Sequence, residues 1–329
     1  MTDRMVYETF RRDDLAESDP IWNDAMDLYG DYYEYLEYDE SQRPASNWHW
    51  ARLPEDEFMT MFLPTRDSTI TRCKMGGAVV GHALCVRWPC RLRHPSRNRG
   101  RDADAVACWV TQVVVHQDAR EMGVATGLMD AVLALTAAGR AARWSTDTTD
   151  GQRGSRAGGD CACGGGDDDQ EPTLVYGTLS PHPAVHLALA RAYARRHRLD
   201  EAVQPLDHIR LDFVRAHAAA VLAASPCPQL RRASPAGSLF QRGLLGVLLW
   251  PKVGGRRYMC LDCGAETDFT SPPSDVGSYV RRARDRGWSL GRLAPGCEFM
   301  LVVPADPAVH KRFAHPQSVF SWLLGLLGE

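Results

Sequence analysis

Two spacings of apolar residues divide the chain. Trp22, Ala25, Met26, Tyr29, Tyr32, Tyr33 and Leu36 recur every three or four residues, as one face of a helix does. Asp19-Pro20 precedes them as a helix start: a capping carboxylate, then a residue whose fixed φ suits the first turn. A second helix is expected from Pro54. Glu55, Asp56 and Glu57 occupy its first turn, where the helix dipole favours negative charge, and Phe58, Met61 and Phe62 form its apolar stripe. From residue 69 the signals change to those of strands. Residues 69–74 and 79–88 predict two strands joined at Gly76-Gly77, and residues 105–115 predict a third. Residues 124–140 return to helical spacing through Ala125, Leu128, Met129, Val132 and Leu133. A short strand is expected at 174–179, then a helix from Pro183 with Val185, Ala188, Leu189 and Ala192 on one face.

Residues 146–172 break the pattern. Gly164-Gly165-Gly166 stands beside Asp167-Asp168-Asp169, and little apolar surface is present to offset the entropy of ordering, so a disordered insert is expected. Further on, a strand is expected at 208–213, then an Ala-rich helix ending near Ser225. Strands follow at 246–250, 257–262 and 298–303, with a helix carrying Val276, Tyr279, Val280 and Ala283 between the last two. The division expected is a main domain over 1–213 and a small α/β extension over 214–329.

A length of 329 residues leaves room for about two domains. The 38 Lys and Arg against 41 Asp and Glu give a net charge of -3, with no global pull towards nucleic acid or an anionic membrane. No apolar run reaches the roughly 18–20 residues of a membrane helix; the greasiest stretch, 318–328, is too short. Residues 1–14 lack the apolar core of a secretory signal, and the ten cysteines are scattered, so a reducing compartment, cytoplasmic or nuclear, is expected. Cys260-Leu261-Asp262-Cys263 has the spacing of half a zinc site, but a second pair is missing and no metal is expected. Arg91, Arg93, Arg97, Arg99 and Arg101 crowd one loop, read either as a solvated segment or as an anion grip.

The stretch from Val113 to Met129 carries the chemistry. A strand runs through the turn Arg120-Glu121-Met122-Gly123-Val124-Ala125 straight into an amphipathic helix. The first amides of a helix lack internal acceptors, and with the dipole they form an anion site. Gly123 and Ala125 let a phosphate approach the backbone, and Arg120 adds charge. The natural guest is a diphosphate.

This Arg-x-x-Gly-x-Ala segment resembles motif A of the GNAT superfamily of N-acetyltransferases. The element order around it is similar too, best over residues 69–197. The resemblance implies a mixed, mostly antiparallel sheet flanked by helices, and acetyl-CoA as co-substrate. Its diphosphate would rest on Arg120, Glu121, Met122, Gly123, Val124, Ala125 and Thr126. Its pantetheine arm would pair with the strand edge at Val113 and Val115. The reaction implied is direct attack of a primary amine, on a small molecule or a protein lysine, on the thioester. Two family positions depart from the pattern. Trp109 stands near the strand position where several members keep a carboxylate base, with Thr111 and Gln112 as polar neighbours. Ala190 stands where many keep a tyrosine, and Tyr193 one turn later reads as core. His182, at the start of the helix after the fifth strand, is the titratable candidate for proton transfer, or else a turn histidine. Asp31, Tyr32, Tyr33, Glu34, Tyr35 and Glu37 lie on a helix that shapes the acceptor site in the family. They suit a cationic amine, or simply form the solvated face of that helix. The alternative function is a coenzyme-binding or protein-interaction module of the same fold without turnover.

Overall fold

The amino end forms a strand, β1 (Val6–Arg11), half-buried at its four central residues. Two helices follow, α1 (Pro20–Tyr32) and α2 (Glu55–Phe62), and then three strands, β2 (Thr69–Met75), β3 (Ala78–Leu92) and β4 (Ala103–Val115). The motif helix is α3 (Val124–Ala138), succeeded by β5 (Thr173–Ser180) and α4 (Pro183–Arg196). The carboxy-terminal part adds α5 (Leu211–Ala223), α6 (Pro228–Arg232), β6 (Ser234–Ala236), β7 (Gly264–Glu266), α7 (Val276–Arg284) and β8 (Cys297–Pro304). This computed structural model describes residues 4–16, 19–32, 54–92, 102–138, 172–240, 262–267, 276–294 and 296–309. The expected strand at 246–250, all but the last residue of the one expected at 257–262, most of the insert at 146–172, the arginine loop beyond Leu92, Cys260, the tyrosines beyond Tyr32 and the apolar tail lie outside the described residues.

The strands form one sheet in the order β1-β2-β3-β4-β5-β8-β7-β6. Every neighbouring pair is antiparallel except β4 and β5, which run parallel. The mixed, mostly antiparallel sheet flanked by helices is the fold expected from the sequence. Helices cover both faces. Gly81 on β3 turns towards Val124 and Leu128 of α3. Leu84, three positions on and therefore on the opposite face, joins Ile21, Trp22, Phe58, Phe62 and Ile70 in the core under α1 and α2. The larger core is the sheet interior packed by α3, α4 and α5.

Several elements differ from expectation, among them α6, β6 and β7, which no expected element matches. Residues 208–213 do not form a strand: a 3-10 turn over Pro205–His208 runs into α5. Leu206, Ile209 and Phe213 are buried at three- and four-residue spacing, a helical rhythm that a six-residue window reads equally well as extended. The place beside β5 goes instead to β8, from far along the chain, with Val175 opposite Pro304 and Ser180 opposite Phe299. Phe299 to Val303 are fully buried, so β8 is a continuous apolar run rather than an alternating strand. The edge strand β1 has no counterpart among the expected elements.

Candidate functional site

The site begins where pairing ends. β4 and β5 are in register from Ala105 opposite Thr173 to Val110 opposite Thr178. Thr178 Oγ1 donates to the Val110 carbonyl at 3.3 Å and closes that apex. Beyond it β4 stays on β3, as far as Val115 opposite Gly81, while β5 stays on β8. The two parallel strands therefore splay, leaving the β5-side edge of β4 from Thr111 to Val115 without a strand partner among the described residues. A register shift opposite Leu84 and Cys85 leaves Thr111 as the extra residue of a bulge. Its hydroxyl donates to Phe62 O at 2.8 Å, tying the end of α2 to the mouth of the splay.

The turn after β4 is left-handed in two places, Glu121 with φ 65° and Gly123 with φ 89°. A left-handed turn of this kind aims successive backbone N–H groups to one side, as in anion-binding nests. Gly127 N is bonded to Gly123 O at 3.0 Å. The amides of Val124, Ala125 and Thr126 precede it and have no intrahelical acceptor. A Cβ built on Gly123 would meet nothing within 4 Å, so the helix end opens into space rather than onto packed side chains.

That space is a cavity of about 380 Å³ bounded by the end of β4, the start of α3, the start of α4 and one face of α7. All nine residues proposed for the coenzyme line it except Met122, which is 51 % exposed. His182 lines it too, as the residue that caps α4. Its Nε2 is buried without a hydrogen-bond partner. Burial, then the Arg120 and Arg282 charges, pull its pKa down to about 4, so the ring is neutral at pH 7. The alternative of a turn histidine exposed to solvent gives way to a half-buried ring packed 4.3 Å from Tyr279. Arg120 Nε donates to Val115 O at 3.2 Å, which places its guanidinium at the cradle.

The positions that depart from the family pattern are structural. Trp109 is fully buried, with Trp88 at 5.9 Å between ring centroids. Ala190 and Tyr193 have no exposed surface. The sequence reading missed Arg191, Tyr279, Arg282 and Arg286, all on the cavity wall. The only signal for two of them was the basic run in and after α7, Arg281, Arg282, Arg284 and Arg286, which carries no address on the fold. Also unread was the buried pair on the other face of the sheet, His82 Nε2 and Gln112 Oε1 at 2.7 Å. Among the described residues no cluster of three or more His, Cys, Asp or Glu could hold a metal, and no helix is long and apolar enough to cross a membrane.

Residues 22–157 match the family model of the acetyltransferase (GNAT) family. No curated protein matches the chain. Among solved structures, a ribosomal-protein-alanine N-acetyltransferase from Brucella melitensis biovar Abortus 2308 is 20 % identical over 43 % of this chain and 77 % of that one, with a TM-score of 0.25. The aminoglycoside N-acetyltransferase AAC(6')-Iy in complex with CoA is 14 % identical over 42 % and 72 % of the two chains, with a TM-score of 0.25. An aminoglycoside acetyltransferase, meta-AAC0020 from an uncultured soil metagenomic sample, in complex with sisomicin, is 11 % identical over 48 % and 97 %, with a TM-score of 0.26.

Proposed function

We infer that this chain, whose residues 22–157 match a GNAT acetyltransferase domain, is an acyltransferase that moves the acetyl group of acetyl-CoA to a primary amine. The observation that carries the reading is the open splay between β4 and β5 leading to an unplugged start of α3. The residues present fit the coenzyme. Free amides and Arg120 suit its diphosphate, the edge of β4 that no described strand pairs suits its pantetheine amides, and the space beside Gly123 is what a side chain there would fill. When bound, the coenzyme supplies an activated acyl group and a thiolate leaving group.

The protein's own part is positioning and proton transfer. Amides of Val124, Ala125 and Thr126 hold the diphosphate end, and the edge of β4 from Val113 to Val115 orients the arm in the splay. The acceptor nitrogen bonds to the thioester carbon, the carbon–sulfur bond breaks, and the amine loses a proton. His182 and Glu121 are the cavity side chains able to accept a proton. Glu121 is paired with Arg286, whereas the buried Nε2 of His182 has no partner. Held near 4 by burial and two guanidinium charges, it is a weak base in the empty site. Cancelling those charges with coenzyme phosphates raises its basicity at the moment it is needed. The acceptor is a small-molecule amine or a protein lysine.

Buried Trp109 and Ala190, where base and acid sit in many relatives, favour a second reading: a coenzyme-binding module without turnover. Thiol release from acetyl-CoA across a broad amine panel separates the two. The enzyme reading expects at least one amine to stimulate release roughly a hundredfold or more, the lower end of general acid–base catalysis, and His182→Ala to remove most of it. Coenzyme binding with no amine-stimulated release would leave the module.

A further inference from the structure

The charge on the cavity wall is lopsided. The whole chain carries -3, yet among the described residues the cavity is lined by Arg120, Arg191, Arg282 and Arg286 against a single carboxylate, Glu121. Two of these cations come from the segment after β7, beyond the matched residues 22–157. α7 and its following turn lie across the start of α4, and Tyr279 packs against His182. The Arg282 guanidinium carbon sits 5.0 Å from the centre of the Tyr279 ring. Arg286 Nη2 meets Glu121 Oε1 at 2.8 Å, joining residue 286 to the left-handed residue of the phosphate turn. Burial, then the neighbouring charges of Arg286 and Arg195, hold the Arg191 guanidinium below its ordinary pKa. A set of like charges with one internal anion and an unpartnered buried Nε2 beside it is a site built for an anion from outside.

We propose that α7 is a wall of the coenzyme site and that Arg282 and Arg286 bind the phosphates of coenzyme A, with Glu121 holding Arg286 in place until a phosphate takes it over. This rests on the coenzyme reading of the cavity. The carboxy-terminal segment thereby brings cations to a cradle whose own turn supplies only Arg120. The Arg286–Glu121 pair is half exposed, so it is weak and exchangeable rather than a fixed strut.

The test is calorimetric titration of the full chain with coenzyme A, in wild type, Arg282→Gln, Arg286→Gln and Glu121→Gln. All three residues are solvent-exposed, so each variant should fold, and thermal melting checks this. The two arginine variants should each bind about fivefold to tenfold more weakly, the range for a charge-assisted contact at a partly exposed site. Glu121→Gln should bind more tightly, by about threefold, because it removes the competing anion. A structural latch predicts the same sign for Arg286→Gln and Glu121→Gln. That outcome, or unchanged affinity in both arginine variants, overturns the proposal. Loss of binding already in the wild type would instead overturn the coenzyme reading itself.

Discussion

Gly123 decides whether a phosphate can reach the helix. Its φ of 89° disfavours any L side chain, and its missing Cβ faces open space. Gly123→Val should therefore weaken coenzyme binding at least tenfold, while strain of about 1–2 kcal/mol lowers the melting point only modestly. Calorimetry and a melt on the same sample check both parts; unchanged affinity would remove Gly123 from the cradle. His182 offers a second readout. Arg120 and Arg282 lower its pKa after burial does, so phosphates near those cations should raise it. Titration of its ring protons by NMR should show an upward move when coenzyme A is added, and a fixed or falling value would detach His182 from the phosphate end. At this scale the turn and helix start were legible, because they are contiguous in sequence. Arg191, Arg282 and Arg286 were not, because nothing local says that residue 286 lies against residue 121.

The cleft is a property of strands. It exists because β4 leaves with β3 and β5 leaves with β8, and the apex is fixed by packing as well as by hydrogen bonds. Trp109 fills the space over Gly177, where an added Cβ would lie 2.2 Å from its ring. The tryptophan has no room to retreat, since it is fully buried. Gly177→Ala should cost about 1–3 kcal/mol or more, the range for overpacking a tight core, read as a shift in the denaturation midpoint. A neutral result would show that the apex is looser than its contacts imply. Strands β2 to β5 and helices α1 to α4 follow from local patterns near their observed limits. The partner of β5 does not, because a buried apolar run carries no record of which strand it joins. The nearest run in sequence, 208–213, instead coils into the start of α5.

For the molecule as a whole, β8 makes the carboxy-terminal part a piece of the central sheet. A chain cut after Phe213 exposes the β5 edge and should lose cooperative melting; a sharp transition in such a fragment would contradict this. Acid sensitivity also belongs to this scale. His82 and His186 are fully buried and held near 4, against roughly 6.5 in an unfolded chain. Between those values the unfolded chain binds protons that the folded chain refuses, so stability is whole above pH ~6.5 and falls as pH drops towards 4. At pH 5 each histidine costs about 2 kcal/mol. Glu298, raised to about 7 by burial, works the other way: its cost grows as pH rises from ~4.5 and is relieved on acidification. It offsets one histidine, so melting at pH 5 should fall below that at pH 7, and an equal or higher value would contradict the burial of the histidines.

The most direct measurement of the central claim is the heat of mixing the full chain with coenzyme A. An occupied splay between β4 and β5 predicts saturable one-to-one binding with a dissociation constant below about 100 μM, or roughly 5–6 kcal/mol of affinity or better. No saturable heat up to millimolar coenzyme would mean that the open start of α3 receives something else.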